Sequence, residues 1–152
     1  MVADRNRAEN GKTVIVMPKL GAEPIRKAAL INAAISTVGR AGSLDVTVAQ
    51  IARAAGMSSA LAHHYFGSKE RIFLAAMRHI LTQYGQTARQ ALQGADAPRA
   101  RLEAILRASF DRMNFQHETI AAWLNFYALA LVEPEARLEI EAFAESPDDG
   151  ER

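Results

Sequence analysis

The side chains of this chain best suited to a binding role lie between positions 57 and 66, and most of them are small or polar. Serine hydroxyls can donate hydrogen bonds to phosphates and base edges, and histidine and tyrosine can reach the same partners. Small residues at the positive N-terminal end of a helix let its backbone approach a duplex closely. The spacing therefore predicts a DNA-reading helix. Its candidate contact residues are Ser58, Ser59, Ala60, His63, His64 and Tyr65.

Two short helices joined by a glycine turn would position these residues. Thr47 and Gln50 have the spacing of a capping box, in which hydroxyl and amide each satisfy a backbone N–H at the start of a helix. Gly56 ends that helix, and Ser58 is a suitable N-cap for the next. Helix, short turn and helix over residues 47–66 form a helix-turn-helix layout. We expect the Thr47 hydroxyl and the Lys69 ammonium to contact phosphates on either side.

The same residues allow other interpretations. Many helical hairpins contain a glycine turn, so the spacing alone is a weak signal. His63 and His64 could be ordinary surface residues or a fragment of a metal site, but there is no cysteine and no HxxxH spacing to complete one. Ser109 and His117 are too isolated to pair as nucleophile and base. We therefore predict no enzyme activity, no metal and no cofactor.

The rest of the chain predicts an all-α protein of about seven helices. Apolar residues recur at helical spacing from Glu23 to Val38 and again through each later segment. No apolar run approaches the roughly 18 residues that a membrane span needs. Residues 1–80 contain 11 Lys/Arg and 5 Asp/Glu, whereas residues 81–152 contain 7 and 12. A basic first half favours a polyanionic partner, although the acidic end of the chain accounts for much of the asymmetry.

Two segments resemble the DNA-binding head of the TetR family of repressors. They are Thr47-Val-Ala-Gln-Ile-Ala-Arg-Ala-Ala-Gly-Met-Ser and His64-Tyr-Phe-Gly-Ser-Lys-Glu. Within the family, Met17-Pro-Lys-Leu-Gly-Ala-Glu-Pro-Ile-Arg-Lys and Ala122-Trp-Leu-Asn-Phe-Tyr are similar to the BetI-type, choline-responsive repressors of glycine-betaine synthesis. The resemblance implies a cytoplasmic homodimer that binds double-stranded DNA at a palindromic operator. It assigns DNA contacts to Thr47, Ser58, Ser59, Ala60, His63, His64, Tyr65 and Lys69.

The resemblance also predicts the domain organisation. A disordered extension would cover residues 1–16, with Met17 favoured as the natural start. A helix-turn-helix domain would occupy residues 17–67 and a helical effector and dimerisation domain residues 68–145, followed by a disordered acidic tail at 146–152. TetR-type proteins usually continue for two further long helices, so the second domain is expected to be incomplete. Leu61-Ala62 departs from the Thr-Leu common in the family, which predicts a shift in how the recognition helix packs.

A choline-like effector carries a quaternary ammonium, which proteins bind with aromatic faces, often beside a carboxylate. Spacing on the sixth predicted helix places Trp123, Phe126 and Tyr127 near one another, and Phe110 lies in the helix before. These four residues are the candidate effector cage, with Phe115 nearby and Asp111 or Glu118 as a possible counter-charge. An ordinary apolar core is the equal alternative. The alternative function is a helical protein-interaction module or heterodimer partner without operator binding of its own.

Overall fold

The computed structural model describes residues 22–112 and 114–145, and these fold into seven α-helices. The predicted all-α class is confirmed. The extension at 1–16, the start of the predicted head at 17–21 and the tail at 146–152 lie outside the described residues. The helices are α1 (Ala22–Ala41), α2 (Val48–Ala54), α3 (Ser59–Phe66), α4 (Lys69–Leu92), α5 (Pro98–Ser109), α6 (His117–Ala130) and α7 (Pro134–Ala144).

Side-chain caps define where the three helices of the predicted DNA-reading region begin. Thr47, Ser58 and Ser68 each accept a hydrogen bond from the backbone N–H three residues later, at 3.1, 3.2 and 3.2 Å. Gly56 lies between α2 and α3 with φ of 70°, a conformation that costs little only for glycine. The capping residues and the glycine therefore set the geometry of the turn locally.

Helix α1 lies at the centre of the fold and packs against α2, α4 and α6. One hydrophobic core runs from the predicted DNA-reading region into the following helices. Its largest fully buried side chains are Leu30, Val38, Ile51, Ile72, Met77 and Phe126. The short helices α2 and α3 and the longer helices α4 and α6 therefore contribute to the same core.

Helices α1 and α6 approach most closely at Gly39. A Cβ atom at this position would overlap the backbone carbonyl of Glu118 and would lie 2.7 Å from its Cα. Only glycine lets the first turn of α6 rest directly on α1. None of the helices in residues 22–112 and 114–145 has the length and hydropathy of a membrane span.

Candidate nucleic-acid interface and effector cavity

The start of α3 presents an exposed surface of low bulk. Ser58 and Ala60 are exposed, and Ser59 is half-buried. The Ser58 Oγ accepts the backbone N–H of Leu61 at 3.2 Å, so the proton of that hydroxyl stays available to an outside acceptor. Ala62 is fully buried and turns the opposite side of α3 into the core. The helix thus offers small polar groups to a partner while one face is anchored.

The last turn of α3 carries the two histidines and Tyr65. His63 is exposed, and its Nδ1 lies 3.3 Å from the carbonyl oxygen of Gly67. This contact requires a proton on Nδ1, so in the neutral ring Nε2 is left as an acceptor. His64 is also exposed, and its ring centroid lies 5.7 Å from that of Tyr65. These three predicted contact residues are therefore together at one end of the helix.

Thr47 forms the capping box with Gln50 through three hydrogen bonds. Its backbone N–H donates to Gln50 Oε1 at 2.7 Å, its hydroxyl donates to the same oxygen at 3.1 Å, and its Oγ1 accepts the Gln50 N–H at 3.1 Å. The single hydroxyl proton is thus already used. For Thr47 to donate to a phosphate as expected, its hydroxyl would first have to turn away from Gln50.

Lys69 lies away from the start of α3. Its ammonium is 5.6 Å from the centre of the Phe73 ring, within the range of a cation–π contact. The side chain lines a groove of about 230 Å³ whose other lining residues include Glu133 and Glu135 at the start of α7. Lys69 therefore lines a groove that also contains acidic residues, and its ammonium lies over the Phe73 ring.

Two residues near the recognition helix were not singled out from the sequence. Lys27, in the first turns of α1, places its Nζ 5.9 Å from the Tyr65 ring centre and 2.7 Å from Glu23 Oε1. This hydrogen bond is the main reason why the pKa of Glu23 lies below its ordinary value, and the positive charge of Lys27 is the next. No pattern in the sequence links α1 to Tyr65, because their proximity depends on the packing of α1 against α2 and α4.

A cavity of about 340 Å³ lies between α4, α6, α7 and the α5–α6 connection. Its walls are mainly apolar, and four of its residues are aromatic. These are Tyr84, Phe115, Trp123 and Phe143. A concave apolar site with a few polar groups is the usual form of a small-molecule site.

Of the four predicted cage residues, the cavity wall includes only Trp123. Phe126 is fully buried in the core, with its ring centroid 5.8 Å from that of Phe73. Phe110 is 66% exposed and contacts the Phe115 ring, and Tyr127 is 50% exposed. The predicted four-residue cage is not assembled, because successive positions on α6 face different neighbours. Tyr84 and Phe143 belong to the apolar stripes of α4 and α7, but the sequence does not distinguish cavity wall from core.

The polar groups of the cavity are organised by a short hydrogen-bond chain. Ser109 donates to the carbonyl oxygen of Ile105 at 2.9 Å, and its Oγ lies 2.8 Å from the Tyr84 hydroxyl. Since the serine proton is already used, the Tyr84 hydroxyl donates to Ser109. The expected counter-charges, Asp111 and Glu118, are not among the described lining residues. The aromatic faces of the described wall are the groups through which this cavity would contact a cationic ligand.

A short exposed helix held by a capped partner helix, joined through α4 to a helical unit with a cavity, defines a helix-turn-helix protein with a second helical unit. Comparison with known families agrees: residues 30–76 match the tetR family of bacterial regulatory proteins. Residues 98–145 match the C-terminal region of the BetI-type transcriptional repressors. The chain belongs to the TetR family.

Curated relatives extend this similarity. The chain is 51% identical over 128 residues to the HTH-type transcriptional regulator BetI of Brucella anthropi, covering 84% of this chain and 66% of the relative. It is 55% identical over 114 residues to the regulator BetI of Brucella suis biovar 1, covering 75% of this chain and 58% of the relative. For Agrobacterium fabrum the identity is 50% over 121 residues, covering 80% and 59%. The chain thus spans about 60% of the length of these relatives.

Solved structures confirm the fold. A candidate transcriptional regulator from Pseudomonas aeruginosa PAO1 superposes with a TM-score of 0.70 at 24% identity, over 81% of this chain and 60% of that one. A candidate TetR-family regulator from Rhodococcus sp. gives 0.64 at 22% identity, over 80% and 64%.

Proposed function

We propose that this chain is a transcriptional repressor that reads duplex DNA with α3. The observation that carries the proposal is the exposed, low-bulk start of α3, with Ser58 and Ala60 accessible and Ala62 anchored in the core. A recognition helix needs this combination, because backbone and small side chains must approach the groove without loosening the helix. The match to the tetR family supports the same role. A protein that binds genomic DNA would act in the cytoplasm.

The test is binding to duplex DNA selected by the protein from a random pool. We expect the affinity to fall steeply as salt rises, because lysine and arginine displace counterions from phosphates. Ala60→Glu should abolish binding by placing a carboxylate at the start of α3. Ala100→Glu is the matched control, since Ala100 is an exposed residue on α5. A wild-type chain that is folded but binds no duplex at low salt contradicts the proposal.

The effector of this repressor is proposed to be choline or a related quaternary ammonium, bound in the cavity between α4, α6 and α7. Four aromatic residues line that cavity, and aromatic faces bind cations that cannot donate hydrogen bonds. The BetI naming of the relatives is consistent with this ligand. Choline should change Trp123 fluorescence and release the selected duplex. A flat titration to millimolar choline with folded protein would remove choline as effector and leave the DNA-binding proposal intact.

The working form is proposed to be a homodimer on a palindromic operator. Exposed apolar stripes on α5 and α6 support self-association, since a monomer gains little from keeping them in water. The stripes are Leu102, Leu106 and Phe110, and Leu124, Tyr127 and Leu131. The same surfaces favour the second candidate, a helical module that binds another protein. Sedimentation velocity separates the two, because a homodimer forms with this chain alone whereas the module stays monomeric.

A further inference from the structure

We propose that Lys27 is a positioning residue for DNA reading, which fixes the last turn of α3 by holding the ring of Tyr65. The inference rests on the proposed role of α3 as recognition helix. Lys27 lies on α1, and its ammonium is 5.9 Å from the centre of the Tyr65 ring. This distance is within the range of a cation–π contact. The contact ties the first turns of α1 to the end of the helix that would enter the groove.

Helix α3 needs such support because it is short. It spans eight residues, and only Ala62 among them is buried. A helix of this length is marginal by itself, so its orientation depends on tertiary contacts. It packs mainly against α2 and α4. The Lys27–Tyr65 contact adds an anchor from a third helix, next to the exposed His64.

Glu23 fixes the position of the Lys27 ammonium and offsets its charge. Its Oε1 accepts a hydrogen bond from the Lys27 ammonium at 2.7 Å, between residues one helical turn apart. The carboxylate keeps the ammonium directed over Tyr65 and compensates its charge. A lysine that binds phosphate would instead present an uncompensated charge to the duplex. The arrangement therefore assigns Lys27 to orientation rather than to phosphate binding.

The test compares K27M and K27R with the wild-type chain on two probes: the duplex selected from a random pool and an unselected duplex of equal length. We expect K27M to bind the selected duplex about tenfold more weakly, because it loses a partly desolvated cation–π contact. Binding to the unselected duplex and the salt dependence should not change. K27R should retain wild-type binding, because a guanidinium also stacks on tyrosine. Adding K27M to Y65L should cost nothing beyond Y65L alone.

Three outcomes overturn the inference. Equal binding of K27M and the wild type to the selected duplex would make the Lys27–Glu23 pair an ordinary surface ion pair. Equally weakened binding of K27M to both duplexes, with a salt slope lower by about one, would make Lys27 a phosphate contact. A clearly lower melting temperature for K27M than for K27R would show that the loss of binding comes from loss of folding. A wild-type chain that binds neither duplex defeats the proposed function itself and so differs from all three.

Discussion

Arg78 and Glu139 join α4 to α7 through two hydrogen bonds. The Arg78 Nε donates to Glu139 Oε2 at 2.9 Å, and a second guanidinium nitrogen donates to Oε1. This bonding is the main cause of the raised pKa of Arg78. Both side chains line a separate groove between the same two helices, together with Leu74 and Leu138. The pair therefore connects the helix that follows the proposed recognition helix to the last described helix of the cavity.

This ion pair predicts a measurable coupling between the two helices. Paired hydrogen bonds of this kind exceed a simple surface contact, but the Arg78 side chain is 65% exposed, so solvent screens it. We expect R78M and E139Q to destabilise the chain by less than about 1 kcal/mol each and to show a positive interaction in a double-mutant cycle. Urea unfolding of the wild type, the two single variants and the double variant measures this interaction energy. Strictly additive effects would mean that the two side chains do not interact in solution.

Thr47→Ala should destabilise α2 by about 1 kcal/mol, because it removes one half of the capping box. Thr47→Ser is the control, since it keeps the hydroxyl that bonds to Gln50. Thermal unfolding by circular dichroism measures both variants. If alanine and serine are equally stable, the capping box contributes nothing.

Gly39→Ala should cost about 1–3 kcal/mol, because the added methyl forces α6 away from α1. Asn32→Ala is a control on the same helix, at an exposed position. The two effects on stability are compared through the urea concentrations at which each variant is half unfolded. A Gly39→Ala chain as stable as the control would show that the two helices separate without cost.

Trp123→Leu should weaken choline binding about tenfold or more, since it removes an aromatic face from the cavity. Tyr127→Leu is the matched control: its ring is the neighbour of Trp123, with centroids 6.2 Å apart, but it does not line the cavity. Isothermal calorimetry with choline measures both. Equal losses in the two variants would place the ligand on the outer face of α6 instead.

The pKa of Glu23 should respond to Lys27. It lies below its ordinary value of 4.5 chiefly because the Lys27 ammonium donates a hydrogen bond. A pKa that folding lowers contributes stability above 4.5, and that contribution is lost as the pH falls through the folded value. In K27M, the pKa of the Glu23 carboxyl, measured by NMR titration, should therefore rise toward 4.5.

Glu70 serves as the internal control for that titration. Its pKa is lowered mainly by a hydrogen bond from its own backbone and by one from Ser68. K27M should leave it unchanged. If the pKa of Glu23 does not move in K27M, the hydrogen bond seen between the two side chains does not persist in solution.

The sequence alone determined the helices and their starting points. Thr47 with Gln50, Ser58 and Ser68 act over three residues, and the apolar period acts over four, so these features are visible without knowledge of the fold. The positive φ of Gly56, which costs little only for glycine, explains why this residue marks the turn. The helix-turn-helix and its candidate residues on α3 followed from this information and from the family resemblance.

Tertiary structure decided what each helix faces. Trp123, Phe126 and Tyr127 share one helix, yet the first lines the cavity, the second is buried against Phe73 and the third is half exposed. Each residue step turns a side chain by about 100°, and the helices that lie opposite are set by long-range packing. The Lys27–Tyr65 contact arises in the same way, from two helices whose approach no local pattern encodes.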